Sequence, residues 1–213
     1  MSDIFREIDE ELRRENWAQL WHRFGKYIVA LAVAIVVAAA LAVGWRQYEA
    51  GQHAAEGVRY AAALDLARQG KDKEAEAAFN AVAQNSASGR AVLARFEEAG
   101  LKAKTGDRDG AEALYDTIAQ DGSADATYRD LATLLAARLQ VDKDPKAAVE
   151  ALKPLTQPSN AYRATALELT AIAELKEGDA KAARATYRHL ADDATVPSGA
   201  RARAAEMVAA LAP

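Results

Sequence analysis

The chain has no cysteine, and its 213 residues hold only three histidines, two methionines and five prolines. Without cysteine there is no disulfide framework, thiol nucleophile or thiolate metal site, and both reducing and oxidising surroundings stay compatible. Of the three histidines, His22 and His53 lie close to the apolar run in sequence, on opposite sides of it, and His189 has no carboxylate pair at metal-ligand spacing. The stretch YRHLADD puts His189 near Asp192 and Asp193, and the ordinary polarity of a helix end accounts for it. Also missing are a G-x-S-x-G elbow, a phosphate-binding loop and a dinucleotide fingerprint. Asp107, Asp109 and Glu112 cluster at a helix start, where negative charge is favoured in any case. These absences lead us to expect no enzyme, no cofactor and no metal site. An excess of positive charge is lacking too: 27 basic against 31 acidic residues give a net charge of −4, with no basic field to attract nucleic acid.

What is present falls into three bands: a charged head (1–26), an apolar run (27–45) and a long alanine-rich region (46–213). The run, YIVALAVAIVVAAALAVGW, carries no charge. As a helix it would span roughly 28 Å, close to the hydrocarbon thickness of a bilayer. Tyr27 and Trp45 stand at its ends, where amphipathic rings favour the interface, and Lys26 and Arg46 can extend outward to the headgroups. Two other readings are a buried core helix and a cleaved export signal. The first would be a poor neighbour for so short and polar a remainder. The second has small residues at Ala39–Ala42, but a secretory signal normally opens on a short positive segment, whereas here 26 residues including DEELRRE precede the run. The expectation is a retained anchor lying in the lipid bilayer.

Arg13, Arg14, Arg23 and Lys26 precede the run, while Arg46 and Arg59 are the nearest basic residues after it. That excess predicts a cytoplasmic head, with the remainder on the far side of the membrane, the periplasm in a bacterium. Within the head, Ile4, Phe5, Ile8 and Leu12, then Trp17, Leu20, Trp21 and Phe24, recur at helical spacing. They predict an amphipathic helix that lies on the inner leaflet or docks on a partner.

The third band repeats itself. ARQGKDKEAEAAFNAVA, AKTGDRDGAEALYDTIA and LKEGDAKAARATYRHLA align at Gly70, Gly106 and Gly178, with Ala75, Ala111 and Ala183 five residues later and Phe79, Tyr115 and Tyr187 four beyond those. The first interval is 36 residues and the second 72, so one beat is missing, at Asp142 in QVDKDPKAAVEALKPL. There Ala147 is read as the alanine position, with Ala151 and Leu152 where an aromatic would stand. Glycine ends one helix by taking up a left-handed backbone, an aspartate caps the next, alanine lets paired helices approach, and the aromatic fills the space beyond. Pro145 suits a first helical turn. Four helical hairpins are predicted between about Ala54 and Asp192, closed by a helix over Ser198–Leu211.

The G-x4-A-x3-[FY] signature resembles the tetratricopeptide repeat, whose usual unit is 34 residues. The first-helix tryptophan of that pattern is absent and each beat is two residues too long, so the resemblance is to a TPR-like array. The predicted fold is thus all-α: a single N-terminal transmembrane helix followed by a TPR-like solenoid of helical hairpins. Stacked hairpins expose an extended surface that accepts a helix or an extended peptide. TYRD and AYRA repeat at a spacing of 34, so Tyr128, Arg129, Tyr162 and Arg163 are possible groove residues. The plainer reading packs the tyrosines and solvates the arginines.

Three details at the membrane junctions narrow the resemblance: RENWAQLWHRF with GK at Gly25–Lys26 before the run, GWR at Gly44–Arg46 after it, and a short TPR-like domain taking up the rest. Together they resemble the YfgM-type ancillary subunit of the SecYEG translocon. The resemblance implies a bacterial inner-membrane protein with a cytoplasmic head and periplasmic repeats. It also implies association with SecYEG and with a membrane-anchored periplasmic chaperone of the PpiD type, assistance to exported client proteins, and no catalytic residues. A periplasmic scaffold for envelope assembly or cell division would use the same anchor and groove on different partners.

Overall fold

The computed structural model describes residues 2–85 and 89–212, and these are helical or in turns, with no strand among them. Side chains of residues 1–22, 28 and 32 are outside the description, so the amphipathic face read for the head, apart from Phe24, lies outside the described residues. Two compact units divide the chain, Met1–Ala55 and Glu56–Pro213.

The first unit belongs to helix α1 (Ser2–Arg68). Among the described residues this helix alone is long and apolar enough to cross a membrane. Its large apolar side chains are uncovered: Leu31 is 62% exposed, Val36 67% and Leu41 70%. A core helix of a soluble bundle would bury such side chains.

The second unit begins with the last turns of α1 and continues through α2 (Asp72–Asn85), α3 (Gly89–Thr105), α4 (Arg108–Gln120), α5 (Ala126–Gln140) and α6 (Pro145–Leu152). A 3₁₀ turn (Lys153–Thr156), α7 (Arg163–Lys176), α8 (Ala180–Asp192) and α9 (Ser198–Ala210) follow. Each even-numbered helix sits between the two odd-numbered helices that flank it in sequence. Phe79, Val82 and Ala75 of α2 pack with Ala63 of α1 and with Ala94 and Leu101 of α3. Tyr115 and Ile118 of α4 pack with Ala99 of α3 and with Ala132, Ala136 and Leu139 of α5. Leu152 of α6 meets α5 and α7, and Tyr187 and Leu190 of α8 meet α7 and α9. Neither member of a hairpin covers its apolar stripe alone, so the array is held by contacts between successive repeats.

Local chemistry explains where the helices stop. Gly70, Gly106 and Gly178 have φ of +74°, +97° and +86°. After each, the following amide reaches back to a carbonyl five residues earlier: Lys71 to Leu66 at 3.0 Å, Asp107 to Lys102 at 2.8 Å, Asp179 to Glu174 at 2.9 Å. This closure satisfies the last helical carbonyls and needs a left-handed residue, which glycine supplies without a Cβ penalty. Asp107, Asp144 and Asp179 then cap the next helices by accepting from the amides of Gly110, Ala147 and Ala182 at 3.0, 3.0 and 2.9 Å. Pro145 occupies the first turn of α6.

The third beat differs from its sequence reading in one respect. Among the described residues no non-glycine residue has positive φ, so Asp142 does not stand in for the glycine. Instead the turn runs one residue longer, with Lys143 and Asp144 both donating to the Gln140 carbonyl at 2.9 and 2.8 Å. The helix that follows is shifted by that residue. Ala148, not Ala147, is fully buried, and Leu152 takes the place that Phe79, Tyr115 and Tyr187 hold elsewhere. Counted from the capping aspartate, Ala148 and Leu152 match Ala111 and Tyr115.

Candidate protein-docking face

The alanines and aromatics of the repeat signature all point inward, while its glycines are exposed at the turns. Ala75, Phe79, Ala111 and Ala183 are completely buried, and Tyr115 and Tyr187 are 4% and 5% exposed. Phe79 meets Tyr60 edge-on at 5.5 Å, and Tyr115 meets Phe96 at 6.0 Å. Tyr60 and Phe96 stand 36 residues apart, a recurrence in the first helices that the sequence reading passed over. These side chains build the array and leave its outer faces to other residues.

Of the possible groove residues, Tyr128 lies at the surface of α5, 36% exposed, with its ring 6.2 Å from Phe96 of α3. Arg129 is half-buried and donates to the Gly122 carbonyl at 3.4 Å. Tyr162 packs against the cluster of α5, α6 and α7. Arg163 is a correction to the groove reading: it is 9% exposed and points into the protein. Its guanidinium pairs with Asp193, donates from Nε to the Thr156 carbonyl at 3.1 Å, and lies 3.0 Å from His189 Nε2. Equal spacing in the sequence thus does not bring the two Tyr-Arg pairs to one face. Tyr162–Arg163 sits at a helix start, where the chain turns inward after the 3₁₀ segment, while Tyr128–Arg129 is already inside α5.

Among the described residues, the exposed large apolar side chains of the second unit are Val58, Leu93, Tyr128 and Ile172, all on odd-numbered helices. Two of these, Leu93 of α3 and Tyr128 of α5, mark a seam between those helices together with Phe96, near the helix starts. Toward the helix ends the seam opens into a cleft of about 520 Å³, lined by Gly100, Ala103, Lys104, Arg108, Arg138, Leu139 and Asp142. Phe96, Gly100 and Ala103 recur at helical spacing along α3, as do Tyr128, Leu131, Leu135 and Arg138 along α5. Lys104, Arg108 and Arg138 drew no attention in the sequence, because only the fold gathers them from three helices.

Along α4 the charge is opposite. A smaller cleft is lined by Asp109, Glu112, Ala113, Asp116 and Lys143. Burial, with repulsion from Glu112, pushes the Asp116 carboxyl above the ordinary carboxylate range. Elsewhere Glu98 is 4% exposed, and both of its oxygens accept from Asn80 Nδ2, at 3.1 and 3.2 Å. Desolvation raises its pKa despite that hydrogen bond. Among the described residues no group of three metal-ligating side chains comes together.

In the first unit, Tyr27 and Trp45 are 63% and 70% exposed at the two ends of the apolar run. Lys26 Nζ lies 5.1 Å from the Tyr27 ring centroid, Trp45 lies 6.4 Å from Tyr48, and Arg46 is exposed. This is the distribution of a hydrocarbon-length stretch with amphipathic ends.

No curated protein and no solved structure matches the chain. One family model does: the Tetratricopeptide repeat-like domain, over residues 18–206. Its match agrees with the helical pairs, the left-handed glycines and the inter-repeat core, and an array of this kind suggests interaction with other proteins. With the match covering most of its length, the chain belongs to the tetratricopeptide repeat-like family.

Proposed function

We propose that this protein is a membrane-tethered docking module, an accessory subunit of the Sec translocon without catalytic activity of its own. The observation that carries the reading is the extent of the family match. It begins at residue 18, ahead of the apolar run, so the run and the repeats are matched as one unit. A retained anchor over 27–45 then holds the domain of 46–213 beside the membrane. The head (1–26) is cytoplasmic and the repeats periplasmic, a reading supported by the excess of basic residues before the run. Tethering raises the local concentration of the docking face near the channel exit, which strengthens a weak contact without adding to it. SecYEG and a PpiD-type chaperone are the proposed partners, and exported proteins the clients. Support for these comes from the resemblance at RENWAQLWHRF, Gly25–Lys26 and Gly44–Arg46.

The test is affinity purification of tagged full-length protein from mildly solubilised membranes, with partners identified by mass spectrometry. A control protein keeps the repeats but replaces residues 1–45 with an unrelated anchor. Translocon subunits recovered with the native form and depleted in the control support the proposal and place docking in the head or span. Envelope-assembly or division proteins recovered with both forms, without translocon subunits, would replace it with a periplasmic scaffold.

A further inference from the structure

The cleft at the end of the α3–α5 seam has an unbalanced charge. Three cations line it, Lys104, Arg108 and Arg138, against the single carboxylate of Asp142. Lys104 pairs with Asp72 at 2.7 Å, and Asp142 is shared between Arg108 at 3.4 Å and Lys176 at 3.1 Å. The Arg138 side chain, exposed at the cleft wall, makes no ion pair or hydrogen bond among the described residues, although its charge acts on Tyr115. Helix-end electrostatics explain part of this arrangement, since Lys104 and Arg138 stand in the last turns of α3 and α5, where cations are favoured. Arg108 stands in the first turn of α4, where the helix dipole disfavours a cation, and so falls outside that explanation.

We infer that the α3–α5 seam receives an acidic segment of a protein partner, its apolar side chain over Phe96 and Tyr128 and its carboxylates beside Arg138. The inference rests on the docking reading above and deepens it. Charge complementarity selects the occupant: the cleft between α3 and α5 is basic, while the cleft along α4 carries Asp109, Glu112 and Asp116 and repels the same segment. The seam also sets a length. Ten helical residues from Tyr128 to Arg138 advance about 15 Å. An extended peptide covers that distance in about four or five residues, so an apolar residue followed at that interval by acidic ones fits both ends.

The probe is an end-blocked peptide with two leucines, three serines and two glutamates, titrated by fluorescence anisotropy against the full chain in phosphatidylcholine nanodiscs. Its counterparts carry two glutamines or two lysines. The glutamate peptide is expected to bind about fivefold more tightly than the glutamine one, the upper range for an exposed ion pair. Arg138→Glu moves the preference to the lysine peptide, and Tyr128→Ser weakens all three alike. Circular dichroism of each variant confirms that helicity is unchanged. Equal affinity for the glutamate and glutamine peptides, or a glutamate preference that survives Arg138→Glu, overturns the inference. If the preference is absent but Tyr128→Ser still weakens binding, the seam docks peptides and only the acidic assignment fails. If no peptide binds, the inference falls by itself, because translocon recovery through the head or span, the outcome that supports the docking reading, is measured separately in the purification above.

Discussion

The carboxylate of Asp142 lies 3.1 Å from Lys176 Nζ and 3.4 Å from an Arg108 nitrogen. The residue at the turn of the third hairpin therefore ties the second hairpin to the fourth. It stands where the other turns have glycine, so the beat that lost its left-handed residue gained a bridge between its neighbours.

That bridge has a pH signature. Hydrogen bonding to Lys176, then its charge, holds the Asp142 carboxyl below its ordinary value of 3.8. A carboxyl lowered on folding contributes stability that is present above its unfolded pKa and lost as pH falls through the folded one. Asp142→Asn is expected to lower the melting temperature slightly at pH 7, and the gap should narrow as pH falls below 3.8 and through the lowered folded value. Thermal melts of both proteins across pH 2–7 measure this. A gap that does not narrow as pH falls would assign the effect to packing.

The glycines separate a backbone effect from a steric one. Gly106 has φ +97° and open space around a built Cβ, so Gly106→Ala carries only the left-handed cost, about 1–2 kcal/mol. At Gly110 an added Cβ would collide with the Asp107 carboxylate. Gly110→Ala therefore displaces the cap of α4, at a cost of about 1 kcal/mol. Urea denaturation of Asp107→Ala and of the double substitution tests the second cause: with the cap already gone, Gly110→Ala should add little.

Restoring the missing aromatic should do harm. Leu152 is fully buried among Leu134, Ala148, Leu155 and Ala166, in a helix of only eight residues. Leu152→Phe overfills that space and is expected to destabilise by about 1–3 kcal/mol. An increase in melting temperature would show that the third core holds room that the geometry does not reveal.

Two arginine–aspartate pairs recur with different burial. Arg95 and Asp121 lie 3.1 Å apart with side chains 30% and 25% exposed, whereas those of Arg163 and Asp193 are 10% and 13% exposed. Removing one partner of a buried pair leaves an uncompensated charge, so Arg163→Met should cost about 3 kcal/mol. Arg95→Met, in better contact with water, should cost about 1 kcal/mol or less. Denaturant midpoints in identical detergent compare them directly, and equal losses would contradict the burial argument.

Much of this protein was legible in its sequence. An uncharged nineteen-residue run reports its length and polarity directly, and no distant contact is needed to read it. The glycines at 70, 106 and 178 were readable for a similar reason, because a left-handed helix end is a property of a few adjacent residues. Other features required the tertiary structure. Where a loop one residue longer shifted α6, periodicity counted from Gly70 pointed to Ala147, and only packing picked out Ala148. Arg163 and Arg129 share a local pattern, yet burial against Asp193 and His189 parts them. Lys104, Arg108 and Arg138 meet across three helices, and residues that far apart in the chain share a cleft only once the hairpins stack. Local backbone chemistry is written in neighbouring residues, whereas a surface between repeats is made by side chains that the stacking of helices brings together.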